Sequence, residues 1–260
     1  MSELFMKANT LHNSLQAMMN EHKKLKEDHR TFVSLVTHEL LAPISSLTSL
    51  IELALEDTEE DRIEKLNMMQ PVVKNMRAFT VEMGEYFRSL DTVVSIKEIN
   101  WNHLFEQAIS INRYHAGGDK IIFSLDYSGV NPVYSDSVRM KILINNVISN
   151  SIKYRKQNSD LIISASVRTD DHNTILEIRD NGIGVAPEKV DKIFDMFYRA
   201  SDTGQGIGLG LFIVNEAIKV LEGTVEVTSE LGQGTTLTFT FPVLNKNICL
   251  ASDISGITNN

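Results

Sequence analysis

The chain has 260 residues, 42% of them apolar, with 23% charged and a net charge of −9. Those values describe an ordinary globular protein of up to two modest domains and exclude a disordered or collagen-like chain. The acidic balance argues against a nucleic-acid binder, which needs a basic face for phosphates. No apolar run is long enough to span a membrane, and MSELFMKANT lacks the basic and apolar regions of a signal peptide. The single cysteine, Cys249, cannot form an internal disulfide, so the expected compartment is the cytoplasm, with no membrane contact from this chain.

Residues 4 to 36 carry two interleaved series at seven-residue spacing. One is Leu4, Leu11, Met18, Leu25 and Phe32; the other, offset by four, is Ala8, Leu15, His22, His29 and Val36. Heptads sustained this long predict a helix in a parallel or bundled coil, weakened in the middle by its two seam histidines. Glu52 to Lys65 holds seven acids against two bases and reads as a solvated turn. Heptads then resume, with Leu66, Val73, Thr80 and Phe87 in one series and Met69, Met76, Met83 and Leu90 in the other. The reading is a lead-in coil over 1–30 and a helical hairpin over 31–94. Pro71 inside the second helix is costly, at about 3 kcal/mol for an interior position. A lone hairpin exposes a wide apolar stripe, so two copies are expected to close into a four-helix bundle as a homodimer. Packing of the stripe on the chain's own second domain is the alternative.

After about residue 95 the pattern changes. A helix is predicted over 101–113, with others at 136–156 and 208–221. Strands are predicted in IIFSLDY (121–127), LIISASV (161–167), TILEIRD (174–180), TVEVTSE (224–230) and TTLTFTF (235–241), with hairpin turns at 170–173 and 231–234. The fold class is therefore α+β: a helical hairpin, then over 95–244 an α/β sandwich, a mixed sheet with helices on one face. A loose tail is expected over 245–260.

Four features carry chemistry. In THELLAPIS (37–45), His38 falls on the outward side of the coil with Glu39 beside it. A neutral imidazole is a competent nucleophile, and a neighbouring carboxylate can orient it or take its proton. Taken alone, a solvated surface histidine is the better explanation, since exposed helical histidines are common. Asn146 and Asn150 share a helix face at i, i+4, with Lys153 and Tyr154 one turn on. Amide oxygens can complete a Mg²⁺ shell and a lysine can reach phosphates, although a polar outer face reads the same way. Asp180-Asn181-Gly182-Ile183-Gly184 ends a strand, where an acid can accept from an exocyclic amine and glycines let the backbone approach a flat ligand. Gly204-Gln-Gly206-Ile-Gly208-Leu-Gly210 opens an apolar helix, whose free N–H groups suit phosphate. The Gly-Lys-Ser/Thr ending of a P-loop is absent, and no βαβ unit supports a Rossmann reading. Tyr198–Gln205, just before, reads as a short lid.

In this order, these motifs resemble the sensor histidine kinase family over roughly residues 12–243. THELLAPI resembles its H box, NNVISNSIKY its N box, DNGIG its G1 box, IFDMFYR (193–199) its F box, GIGLGL its G2 box and GQGTTLTF (232–239) its G3 motif. The resemblance implies a dimerisation and phosphotransfer hairpin joined to a Bergerat-fold ATP-binding domain. It implies ATP and Mg²⁺ as cofactors and a response regulator as partner, with His38 the phosphoacceptor and Glu39 its acid–base partner. Asn150 would hold Mg²⁺, with Asn146 and Lys153 near the phosphates and Tyr154 beside the nucleotide. Asp180 would read the adenine amine, Gly182, Gly184 and Thr236 would shape that pocket, and Gly206, Gly208 and Gly210 would support the triphosphate. Arg199 would contact the phosphates. A related ATPase with a different output would lack the His-Glu hairpin, and a catalytically silent scaffold would not need Asn150, Asp180 and the glycines. The family usually has Arg or Lys three residues and Thr or Asn four residues after the histidine, where this chain has Leu41 and Ala42. Ala42 has no group to orient a hydrolytic water, so weak phosphatase activity is expected. Rapid loss of label from a phosphorylated partner, dependent on this protein, would contradict that.

Overall fold

The computed structural model describes residues 2–91, 94–112, 120–127, 132–157, 159–201 and 208–244. The tail over 245–260 lies outside them, as do Gly206, residues 202–205 of the expected lid, and the side chains of Leu4, Ala8, Leu11, Leu25, His29 and Leu90. The chain divides after Arg77 into two compact units.

The first unit is built from helix α1, Ser2–Glu56, and the start of helix α2, Glu59–Asp91. The acidic stretch expected as an open turn is almost wholly helical, and only Asp57 and Thr58 separate the helices. The reason is local. Glu59, Glu60 and Asp61 stand in the first turn of α2, where negative charge favours the positive end of a helix. Thr58 Oγ1 donates to the Asp61 carboxylate at 2.7 Å, and its backbone carbonyl accepts the first helical bond, from Arg62. Arg62 in turn reaches back to the end of α1, donating to the carbonyls of Ala54 at 3.0 Å and Asp57 at 3.2 Å. Carbonyls left open at a helix end are thereby satisfied. Both helices run through their prolines, Pro43 in α1 and Pro71 in α2. Along the expected seams, Leu15, Met18, Leu66 and Val73 are each more than half exposed.

The second unit starts at Ala78 and includes the last turns of α2. Phe79 and Met83 are buried, and Phe79 stacks on Phe197 with ring centroids 6.3 Å apart. The unit continues with strand β1 (Ile96–Glu98), helix α3 (Trp101–Asn112), strand β2 (Ile121–Asp126) and strand β3 (Tyr134–Asp136). Helix α4 (Ser137–Lys153), strands β4 (Leu161–Thr169) and β5 (Asn173–Asp180), and a 3-10 turn (Pro187–Lys192) follow. Helix α5 (Gly210–Val220) and strands β6 (Thr224–Glu230) and β7 (Gly234–Pro242) complete it. The main sheet runs β2-β4-β5-β7-β6, with β2 parallel to β4 and every other pair antiparallel. It is the expected mixed sheet under a helical layer. Alternation turns Ile163, Ala165 and Val167 of β4, Leu176 and Ile178 of β5, and Leu237, Phe239 and Phe241 of β7 into one core with α3, α4 and α5. Ser164 and Ser166 of β4 and Thr236, Thr238 and Thr240 of β7 occupy the alternate positions.

Strands β1 and β3 pair in a separate two-stranded sheet that the sequence pattern does not predict. It anchors α4: Asp136, fully buried at the end of β3, is the N-cap and accepts from the N–H groups of Val138 at 2.9 Å and Arg139 at 3.1 Å. The Arg139 guanidinium pairs with the same carboxylate, satisfying a buried charge. Helix α4 is thus fixed at its start before it delivers its polar residues at the other end.

Candidate nucleotide site

The alternation that buries Leu176 and Ile178 also sends Asp180, the last residue of β5, toward the helical layer. Its carboxylate is held on three sides. Oδ1 accepts from the backbone N–H of Gly182 at 2.8 Å and of Thr235 at 3.2 Å, and Ser151 of α4 lies 3.1 Å from Oδ2. Burial pushes the Asp180 carboxyl above the ordinary aspartate range, and those three hydrogen bonds pull in the opposite direction.

Asp180 lines a cavity of about 320 Å³. Helix α4 contributes Asn150, Ser151 and Lys153, with Tyr154 just past its end; Gly184, Gly208 and Gly210 close other sides, with Tyr198 and Leu237. A cavity of this size, mostly apolar with a few convergent polar groups, is the usual form of a small-molecule site. Gly210, the first residue of α5, sits where a Cβ would lie 3.1 Å from Oδ1 of Asn146 and within 3.6 Å of the Asn150 amide. The helix end carrying free N–H groups therefore abuts the asparagine face of α4.

Of the residues expected from sequence, Asn150, Lys153, Tyr154, Asp180, Gly184, Gly208 and Gly210 line the cavity together. Asn146 is buried behind Asn150, its amide donating to the Ile142 carbonyl at 2.9 Å. Gly182 stands behind Asp180, where a Cβ would press on the Tyr154 carbonyl. Arg199 lies outside the lining, though near enough that its charge acts on Tyr154; burial still raises that phenol. Thr236 pairs with Arg179 and Thr228 on the sheet's other face, and Thr235 takes the position beside Asp180. A strand shifts face with each residue, so a one-residue error moves the side chain through the sheet.

Three participants carry no sequence signal: Thr235, Ser151 and Glu82. Glu82, in the last turns of α2, lines the cavity and pairs with Lys153 at 3.4 Å. In the first unit His38 is 80% exposed, with Nδ1 3.5 Å from Oε1 of Glu39. Among the described residues no group of three or more His, Cys, Asp or Glu could hold a metal. The Asn150 amide lines the cavity, and an amide oxygen together with water and a bound phosphate is a donor set that suits Mg²⁺. No helix among the described residues is long and apolar enough to cross a membrane.

A mixed sheet covered by three helices, with a strand-end aspartate and an asparagine face converging on one cavity, defines a nucleotide-binding ATPase domain. Residues 135–245 match the family described as histidine kinase-, DNA gyrase B-, and HSP90-like ATPase. The chain is 31% identical over 245 residues to the sensor protein RprX of Bacteroides fragilis, a match covering 86% of this chain and 46% of RprX. Among solved structures, the Acinetobacter baumannii histidine kinase AdeS aligns with a TM-score of 0.54 at 22% identity, over 80% of this chain and 98% of that one. Full-length ShkA in complex with AMPPNP aligns at 0.56 and 21% identity, over 82% of this chain and 45% of that one. Residues 135–245 thus carry an ATPase domain of the kind that histidine kinases share with DNA gyrase B and HSP90, and the chain, similar to sensor kinases over most of its own length, spans less than half the length of RprX.

Proposed function

We propose that the chain is an ATP-dependent protein histidine kinase that phosphorylates itself on His38 and passes the phosphoryl group to an aspartate of a response regulator. The observation that carries this reading is one chain holding both halves of the chemistry: an exposed His-Glu pair, and a cavity joining Asp180, Asn150 and Lys153. Asp180 would accept the adenine amine. Asn150 would hold Mg²⁺, which supplies charge neutralisation at the phosphates. Lys153 would leave Glu82 for a phosphate oxygen, exchanging one anionic partner for another. With the Nδ1 proton directed to Glu39, Nε2 keeps its lone pair. Nε2 attacks the γ-phosphorus, the bond to the bridging oxygen breaks, ADP leaves, and the Nδ1 proton passes to Glu39. Positioning and electrostatics supply most of the rate, as in phosphoryl transfer generally.

The exposed Leu15, Met18, Leu66 and Val73 support a homodimer, since a second copy would cover the stripe. A cytoplasmic site of action follows from an ATP substrate. The test is incubation with γ-labelled ATP and Mg²⁺. Acid-labile, alkali-stable label is expected on the wild type and is expected to be absent from His38→Ala. Label surviving in His38→Ala would remove His38 as acceptor, and no label on a wild type that still binds nucleotide would overturn the kinase reading.

A further inference from the structure

Among the polar side chains of the cavity that the chemistry above leaves without a role, Ser151 is the one that touches Asp180. Ser151 is 3% exposed, directly follows Asn150 on α4 and lines the same cavity. Its Oγ lies 3.1 Å from Oδ2 of Asp180 and 3.1 Å from the backbone carbonyl of Val147. The two oxygens of Asp180 are therefore not equivalent. Oδ1 is tied by two backbone N–H groups, of Gly182 and Thr235, while Oδ2 is left to Ser151 and to whatever enters the cavity. A hydroxyl has a single proton, and between a carbonyl and a carboxylate the charged group is the stronger acceptor.

Resting on the ATP reading, we propose that Ser151 is the specificity-determining positioning residue at the nucleobase end of the site: its hydroxyl fixes Oδ2 of Asp180 as an acceptor for a 6-amino group, so that a 6-amino purine is taken and a 6-oxo purine refused. A 6-oxo group brings an acceptor against an acceptor, leaving both unpaired in a buried site, the circumstance in which discrimination is largest. A protonated carboxyl would reverse the preference, because it would donate to the oxo group. Burial drives Asp180 toward that protonated form, and the three hydrogen bonds oppose it. Two of them come from the backbone; Ser151 supplies the one that a side-chain substitution deletes. The other charged groups lining the cavity are Glu82 of α2, Lys153 of α4, and Glu188 and Lys189 of the 3-10 turn, with the phenols of Tyr154 and Tyr198.

The experiment is equilibrium binding of ADP and of its 6-oxo analogue IDP between pH 5 and 8, to wild type, Ser151→Ala and Ser151→Thr, with unfolding temperatures alongside. Ser151→Ala is expected to weaken ADP about tenfold at neutral pH, the scale of a hydrogen bond to a charged group. It should also move the acid limb of ADP binding to higher pH and lower the ADP-to-IDP ratio. Ser151→Thr, which keeps the hydroxyl, should retain the wild-type limb and ratio. If Ser151→Ala is unstable, Ser151→Cys, of similar volume but a poor donor, should give the same shift. An unchanged limb and ratio in the variant lacking the hydroxyl would overturn the inference, and so would a uniform loss of ADP affinity at every pH with the ratio kept. A wild type that binds neither nucleotide would sink the ATP reading, and the role of Ser151 with it.

Discussion

Asp180→Asn is expected to weaken adenine-nucleotide binding by at least about 100-fold while leaving the nucleotide-free protein no less stable than wild type. The loss follows from the two ends of the carboxylate. In the variant the amide oxygen takes the place of Oδ1 and still accepts from Gly182 and Thr235, whose N–H groups fix its orientation. The amide NH₂ then stands where Oδ2 was and donates to Ser151 Oγ. An adenine amine would meet a donor instead of an acceptor, which forfeits a charge-assisted hydrogen bond and leaves two donors opposed. The stability half has a definite pH dependence. Burial raises the folded-state carboxyl above its unfolded value, so below about pH 3.9 both states are protonated and no charge is buried. As pH rises past that value the unfolded chain ionises first, the folded chain holds more protons, and stability falls until the folded carboxyl has ionised too. The neutral amide of the variant carries no such cost. Its unfolding temperature, relative to wild type, should therefore climb between pH 4 and pH 8, read by calorimetry beside titration with ADP. Retained ADP affinity would remove Asp180 as the base-reading group; a fall in relative stability over that range would contradict the burial argument.

What is legible in the sequence divides along the range of the forces involved. Strands with period two and helices with apolar faces are written locally, so β4, β5, β6, β7 and helices α3 to α5 are predicted close to their observed bounds. Three of the six motifs, the N, G1 and G2 boxes, place seven site residues around one cavity because each lies at or beside the end of such an element. What escapes depends on partners distant in the chain. Strands β1 and β3 are three residues each, too short to show a period, and exist through pairing across nearly 40 residues of sequence. Ser151 meets Asp180 from 29 residues away and Glu82 meets Lys153 from 71. Nothing in the serine or the glutamate distinguishes it from a solvated neighbour until the sheet brings the partner. The acidic stretch is legible in part: it is mostly exposed and holds the turn, but the helices run further into it, because Glu59, Glu60 and Asp61 favour the start of α2 and Arg62 closes the turn. Composition alone does not separate those cases, because a helix N-terminus and a loop both prefer acids.

A close approach of backbone to backbone beside Asp180 sets the second large effect. Gly234 opens β7 with φ +115°, and a Cβ there would lie 2.0 Å from the Asp180 carbonyl oxygen and 2.9 Å from Cα of Asn181. Both obstacles are backbone, so no side chain can turn aside to make room. Gly234→Ala is expected to cost more than about 3 kcal/mol, adding strain at positive φ to a clash that displaces the end of β5. The displacement carries function with it, because the N–H of the next residue, Thr235, is one of the two that hold Oδ1. Gly232, two residues earlier in the same turn, separates the contributions: its φ is +83°, yet a Cβ there would meet nothing within 4 Å. Gly232→Ala should therefore lose only the conformational part, about 1–2 kcal/mol, and keep nucleotide affinity. Urea unfolding and ADP titration of both variants read the two effects independently. A Gly234→Ala protein that folds and binds ADP as wild type would mean that the β6–β7 turn does not hold Asp180 in place, and that the carboxylate owes its orientation to Gly182 and Ser151 alone.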